Sequence, residues 1–134
     1  MSGMYLSGVD GFGDGSFTWT GSAIKVMLIQ STYAFDNTQQ YVSDLGDVIS
    51  GRSDALTGKF VANKAFGADD TGVISSTQDV ICNGLVVYYD TGHDNTSRLI
   101  YYCNAAYIGL PIRPARLQLV QILWSTGENK IFRL

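Results

Sequence analysis

The chain of 134 residues contains one glutamate, Glu128, one histidine, two prolines and two cysteines, and only 16% of its residues are charged. Each scarcity excludes something. Glutamate is a standard helix-surface residue, so a single copy argues against a mainly helical fold. One histidine and two widely spaced cysteines, Cys82 and Cys103, do not make a closed zinc site. Nine basic residues are scattered, and the net charge is −3. A nucleic-acid surface ordinarily shows a basic face, so no nucleic-acid partner is expected. No apolar run reaches the length of a membrane-spanning helix, and the first 30 residues do not read as a signal peptide, so no membrane partner is expected. Folding in a cytosol is expected, with both cysteines starting as thiols. No cofactor is expected.

What is abundant is glycine, 15 residues, and aromatic residues, 12% of the chain with eight tyrosines. At 46% hydrophobic the chain is rich enough to bury a core. Short strands joined by tight turns suit this mixture. Five glycines among residues 1–15 disfavour a stable helix there, and predict a flexible or partner-ordered arm. Residues 16–134 then form a single β-sandwich domain.

Strands are predicted over 17–20, 23–31, 55–61, 72–76, 80–89, 98–104, 116–124 and 130–134. The strand at 23–31 is apolar on both faces, which predicts a central position or one beneath a partner. Asp36-Asn37-Thr38-Gln39 reads as a helix start, residues 41–45 as one helical turn, and Gly46 as its stop. Residues 109–114 read as a loop held by two prolines, and 125–129 as a turn. The clearest unit is a hairpin of 80–89 with 98–104, joined by Asp90-Thr91-Gly92-His93-Asp94-Asn95-Thr96-Ser97. Partner numbers are expected to sum to 185–187, and the lowest of these values would set Cys82 opposite Cys103. The expected class is all-β: an antiparallel β-sandwich, jelly-roll-like, with one short helical turn.

Chemistry is thin. His93 stands beside Asp90 and Asp94, but an exposed loop residue is favoured over a catalytic base. Asp90-Thr91-Gly92 is the aspartic-protease tripeptide, yet it is also an ordinary turn, and Tyr89 stands where that family has a small residue. Asp10, Asp14, Asp69 and Asp70 suggest calcium, but they lack the EF-hand spacing. No catalytic or metal-binding residue is assigned. Tyrosines are the better lead, because they give contact area at low entropy cost. In Tyr88–Tyr89 and Tyr101–Tyr102 one ring points to each face of a strand. Either one ring faces a partner, or both lie inside a two-sheet sandwich. The candidate partner-binding residues are Tyr5, Phe12, Tyr88, Tyr89, Tyr101, Tyr102, Tyr107, Arg113 and Arg116.

A series of segments falls in a recognisable order: Ile24-Lys25-Val26-Met27-Leu28-Ile29, Ala55-Leu56-Thr57-Gly58-Lys59 and Ala68-Asp69-Asp70. Leu85-Val86-Val87-Tyr88-Tyr89-Asp90-Thr91-Gly92, Thr96-Ser97-Arg98-Leu99-Ile100-Tyr101, Gly109-Leu110-Pro111-Ile112 and Asn129-Lys130-Ile131-Phe132-Arg133-Leu134 follow. In this order the chain resembles a family of small virion structural proteins of tailed bacteriophages, over most of residues 24–134. It departs from that family at Asp-Gly-Phe-Gly-Asp-Gly, where the family often opens more helically, and in an apolar stretch at 117–124. The resemblance implies a capsid cement or decoration protein with a jelly-roll-like fold. It would be non-catalytic and would sit on the outer capsid surface of the virion. Its partners would be the major capsid protein and itself, as a dimer or trimer. A tail, neck or head-fibre component acting in assembly or host recognition is the alternative.

Overall fold

The computed structural model describes residues 3–72, 74–75, 81–103, 119–122, 124 and 130–133. Its elements, in chain order, are β1 (Gly3–Met4), α1 (Leu6–Asp14), β2 (Ile24–Gln30), a 3-10 turn (Val42–Leu45), β3 (Ile49–Arg52), β4 (Phe60–Ala62), β5 (Ala65–Gly67), β6 (Ile74–Ser75), β7 (Cys82–Tyr89), β8 (Arg98–Cys103), β9 (Leu119–Val120) and β10 (Lys130–Arg133). Five strands form an antiparallel sheet in the order β1-β8-β7-β2-β3, and three form a second in the order β10-β5-β4. A two-stranded ladder joins β6 to β9. The fold is all-β and sandwich-like, as the composition implies.

The doubly apolar β2 lies between β7 and β3, inside the five-stranded sheet. Its alternation serves two cores. Ile24, Val26 and Leu28 enter a large cluster with Phe66, Ala68, Ile131 and Phe132 of the second sheet's side, together with Phe17, Trp19 and Trp124. Met27 and Ile29 enter a smaller cluster on the opposite face, with Tyr5, Val42, Leu45, Tyr88, Leu99 and Tyr102. A strand buried on both faces needs no polar phase, and this explains its continuous apolar run.

The predicted β7–β8 hairpin forms. Near its loop the pairs are Tyr89↔Arg98 and Tyr88↔Leu99; beyond a bulge they become Val87↔Tyr101, Val86↔Tyr102 and Leu85↔Cys103. The extra residue is Ile100. Cys103 therefore faces Leu85, while Cys82 pairs across the sheet with Gln30. The expected Cys82–Cys103 opposition is overturned by this bulge and by the longer register sum. Both cysteines are buried thiols.

The opening segment corrects the arm prediction. Residues 6–14 form a nine-residue helix despite Gly8, Gly11 and Gly13. Glycine disfavours an isolated helix, but here it permits contact that a side chain would block. A Cβ on Gly8 would stand 2.7 Å from the Ile100 Cα, and one on Gly11 would stand 2.0 Å from the Phe17 ring. Tertiary docking supplies what propensity lacks. Gly15, left-handed at φ 79°, closes the helix.

Other elements shift. Residues 17–20 alternate buried and exposed as a strand would, but they enter a turn, with Ser22 N–H donating to the Thr18 carbonyl. The helical turn at 42–45 forms and stops at Gly46 as expected, but Asp36 does not start it. Asp36 instead accepts from the Thr38 N–H and hydroxyl, and Asp44 reaches back to the Tyr41 N–H. The strand expected over 55–61 is confined to Phe60–Ala62. Its partner β5 follows a tight turn through Asn63 (φ 51°) and Lys64 (φ 67°), the twist a two-residue hairpin requires. Of the strand expected at 116–124, residues 119–120 form β9, while the described residues 121–122 and 124 lie outside any strand.

Candidate partner-binding surface

The tyrosine prediction divides. Tyr5, Tyr88 and Tyr102 are 0%, 1% and 4% exposed, so they are core residues and not contact residues. The cause is the sheet's position between two cores. In each adjacent pair one ring enters the smaller cluster, and the other, Tyr89 or Tyr101, packs half-buried against the larger one. Tyr89 and Tyr101 lie on the side of the second sheet, whereas Tyr88 and Tyr102 lie on the opposite face beneath Tyr5 and residues of the 33–48 segment, so the two rings of a pair do not share one two-sheet interior. Tyr101 stacks on Phe132 (5.0 Å between centroids) and Tyr89 on Phe17 (5.1 Å). Phe12, also half-buried, packs edge-on against Phe17 and tilts over Phe66, joining α1 to the large core. Tyr107, Arg113 and Arg116, with the 109–114 loop and the 125–129 turn, lie outside the described residues.

Tyr5 shows how the opening segment is held. Its hydroxyl lies 2.7 Å from that of Tyr33, which donates to Gln39 Oε1. Its ring meets Phe35 edge-on at 5.1 Å. Burial first, and then the Tyr33 hydrogen bond, push its phenol far above the ordinary value, so it stays neutral. Ser7 Oγ donates to the Leu99 carbonyl, and Arg98 Nη2 donates to the Ser7 carbonyl.

The consequence for the surface lies on α1. Its buried face is Ser7, Gly8 and Gly11. Leu6 and Val9, one turn apart, point outward at 52% and 43% exposure. An amphipathic surface helix ordinarily buries its aliphatic residues. Here the small residues face in and two aliphatic ones face out. Leu6 and Val9 were not among the residues singled out from the sequence. The signal that could have found them is the spacing of Gly8 and Gly11 on one helical face, which marks a close-packed side and leaves the aliphatic side outward.

The residues with catalytic or ligand-like appearance have the following partners. Asp90 pairs with Lys25 at 2.8 Å and accepts from the Gly92 N–H, as an Asx turn does. The Lys25 hydrogen bond holds its carboxyl below the usual aspartate range. His93 is exposed, and its carbonyl accepts from the hydroxyls of Thr96 and Ser97. Asp94 pairs with Arg52 through both guanidinium Nη atoms, at 2.7 and 2.8 Å. Asp14 accepts from Ser16, and Asp69 lies over Gly58. Among the described residues no group of three or more histidine, cysteine, aspartate or glutamate side chains is placed to hold a metal ion. Among the same residues no helix is long and apolar enough to cross a membrane. Compared with protein-family models, with curated proteins and with solved structures, the chain finds no match in any of the three.

Proposed function

We propose that this chain is a non-catalytic structural protein of a tailed-phage virion, a capsid cement or decoration protein that binds the outer face of the major capsid protein shell as a homo-oligomer. The order of family-like segments over residues 24–134 supports this reading. The observation that carries it is the outward pair Leu6 and Val9 on α1. Exposed aliphatic side chains on a rigidly docked helix suit a surface that another protein covers. The low charge of the chain is in keeping with such coverage. Many modest contacts repeated over a shell would act together.

The test uses particles assembled without this chain. Adding back the wild-type protein should slow DNA release on heating, whereas a Leu6→Ser, Val9→Ser variant of unchanged melting temperature should bind them weakly. Particles that release DNA equally fast with and without the wild-type chain would reject the cement role. Antibody labelling confined to the tail would replace it with a tail or neck role.

A further inference from the structure

We propose that the depression between the 3-10 turn, β3 and the β7–β8 loop is a binding site for a neutral polyhydroxylated ligand, a sugar ring. It is an open depression of about 640 Å³, wide enough to seat one sugar ring. Val42, Ser43 and Gly46 form one wall; Ile49, Gly51 and Arg52 form the other, with Asp94 at the rim.

The walls are fixed before any ligand arrives. Ser43 N–H donates to the Asp94 carbonyl at 3.0 Å, and Val42 N–H donates to the Ser97 carbonyl at 2.9 Å. These bonds tie the turn to the loop. Gly46 (φ 71°) and Gly51 (φ 150°) put no side chain into the space. A preformed concavity of this kind spares a ligand the cost of ordering it.

The rim decides the chemistry. Arg52 and Asp94 neutralise each other in a bidentate pair, and the guanidinium also lies 5.9 Å from the Tyr88 ring centre. An anion would have to displace Asp94 from Arg52, and a cation would have to displace Arg52 from Asp94. A neutral ligand displaces neither. The carboxylate keeps further acceptor positions and the guanidinium further donors, since the pair uses only part of each. Neighbouring hydroxyls, each a donor and an acceptor, match that combination. The exposed Ser43 adds another polar position, and half-buried Ile49 offers an apolar surface to the C–H face of a ring.

Amide NMR titration of the full chain with D-glucose, D-galactose and N-acetyl-D-glucosamine tests this, with sodium acetate as the anionic comparison. At least one sugar should give saturable shifts confined to residues 42–52 and 94. Asp94→Asn should weaken binding by an order of magnitude. Ser43→Trp, which fills the depression and leaves the ion pair in place, should abolish it. Each variant is used only if it melts with the wild type, and Ser43→Trp decides if Asp94→Asn does not fold. Absence of saturable shifts with all three sugars at tens of millimolar overturns the proposal. Undiminished binding by the folded variants, or saturation by acetate in place of sugar, also overturns it.

Discussion

Gly8 of α1 lies directly on the backbone of Ile100, the bulged residue of β8. A methyl group added there would stand 2.7 Å from the Ile100 Cα and 2.8 Å from its carbonyl oxygen. Backbone gives way less readily than a flexible side chain. Gly8→Ala is therefore expected to destabilise the protein by about 1–3 kcal/mol, the cost of overpacking a fitted contact. Gly13 lies in the same helix with nothing within 4 Å of its would-be Cβ. Gly13→Ala should stabilise by about 0.5–1 kcal/mol. Urea unfolding of the two variants checks this. Equal effects of the same sign would show that the helix does not dock through Gly8.

Tyr5 gives a graded pair. Tyr5→Phe removes one hydroxyl from the Tyr33 hydrogen bond and is expected to cost about 0.5–1.5 kcal/mol. Tyr5→Ala empties a fully buried ring site and is expected to cost about 3–5 kcal/mol. Chemical denaturation measures both. A tolerated Tyr5→Ala would mean that the opening segment contributes little to the native core.

Both thiols are inaccessible, Cys82 at 0% and Cys103 at 2% exposure, and burial pushes the Cys82 thiol pKa upward. A thiol reagent at mildly alkaline pH should label neither cysteine in the native protein and both after unfolding. Native labelling at a rate independent of stability would contradict the burial.

The ion pairs Lys25–Asp90 and Arg52–Asp94 predict an acid dependence. Each partner's hydrogen bond lowers its aspartate pKa in the folded state. A depressed folded pKa means that the pair's contribution is present above the unfolded value, about 3.9. It is then lost as the pH falls through the lower folded value. Both pairs are partly exposed, so each is worth up to about 1 kcal/mol. The stability gap between wild type and Asp90→Asn should therefore be widest near neutral pH and close under acid. A gap that widens on acidification would reverse the assignment. Melting curves at several pH values measure it.

The sequence showed the all-β class, the central position of β2 and the β7–β8 hairpin, because local alternation and turn chemistry encode them. It did not show α1, since five early glycines signal looseness locally but close contact once Ile100 lies opposite. It also missed the β4–β5 turn, where Asn63 and Lys64 adopt positive φ without a glycine to mark them. The tyrosines misled for a related reason. Alternation shows that Tyr88 and Tyr89 face opposite ways, but not that a core lies on each side. The ion pair of Arg52 with Asp94 joins residues 42 positions apart, and no local pattern announces it.

The outer side of β8 has a consequence for solubility. β1 pairs with Tyr101 and Tyr102, Tyr5 N–H takes the Ile100 carbonyl, Ser7 takes that of Leu99, and Val42 takes that of Ser97. The Leu99 N–H is taken by the Gln40 carbonyl. Two separated stretches of chain, 3–7 and 40–42, thus occupy the hydrogen-bonding row of an apolar, aromatic strand. Left open, such a row would template pairing with the next molecule. A neighbouring molecule can then touch β8 through side chains but cannot extend its ladder.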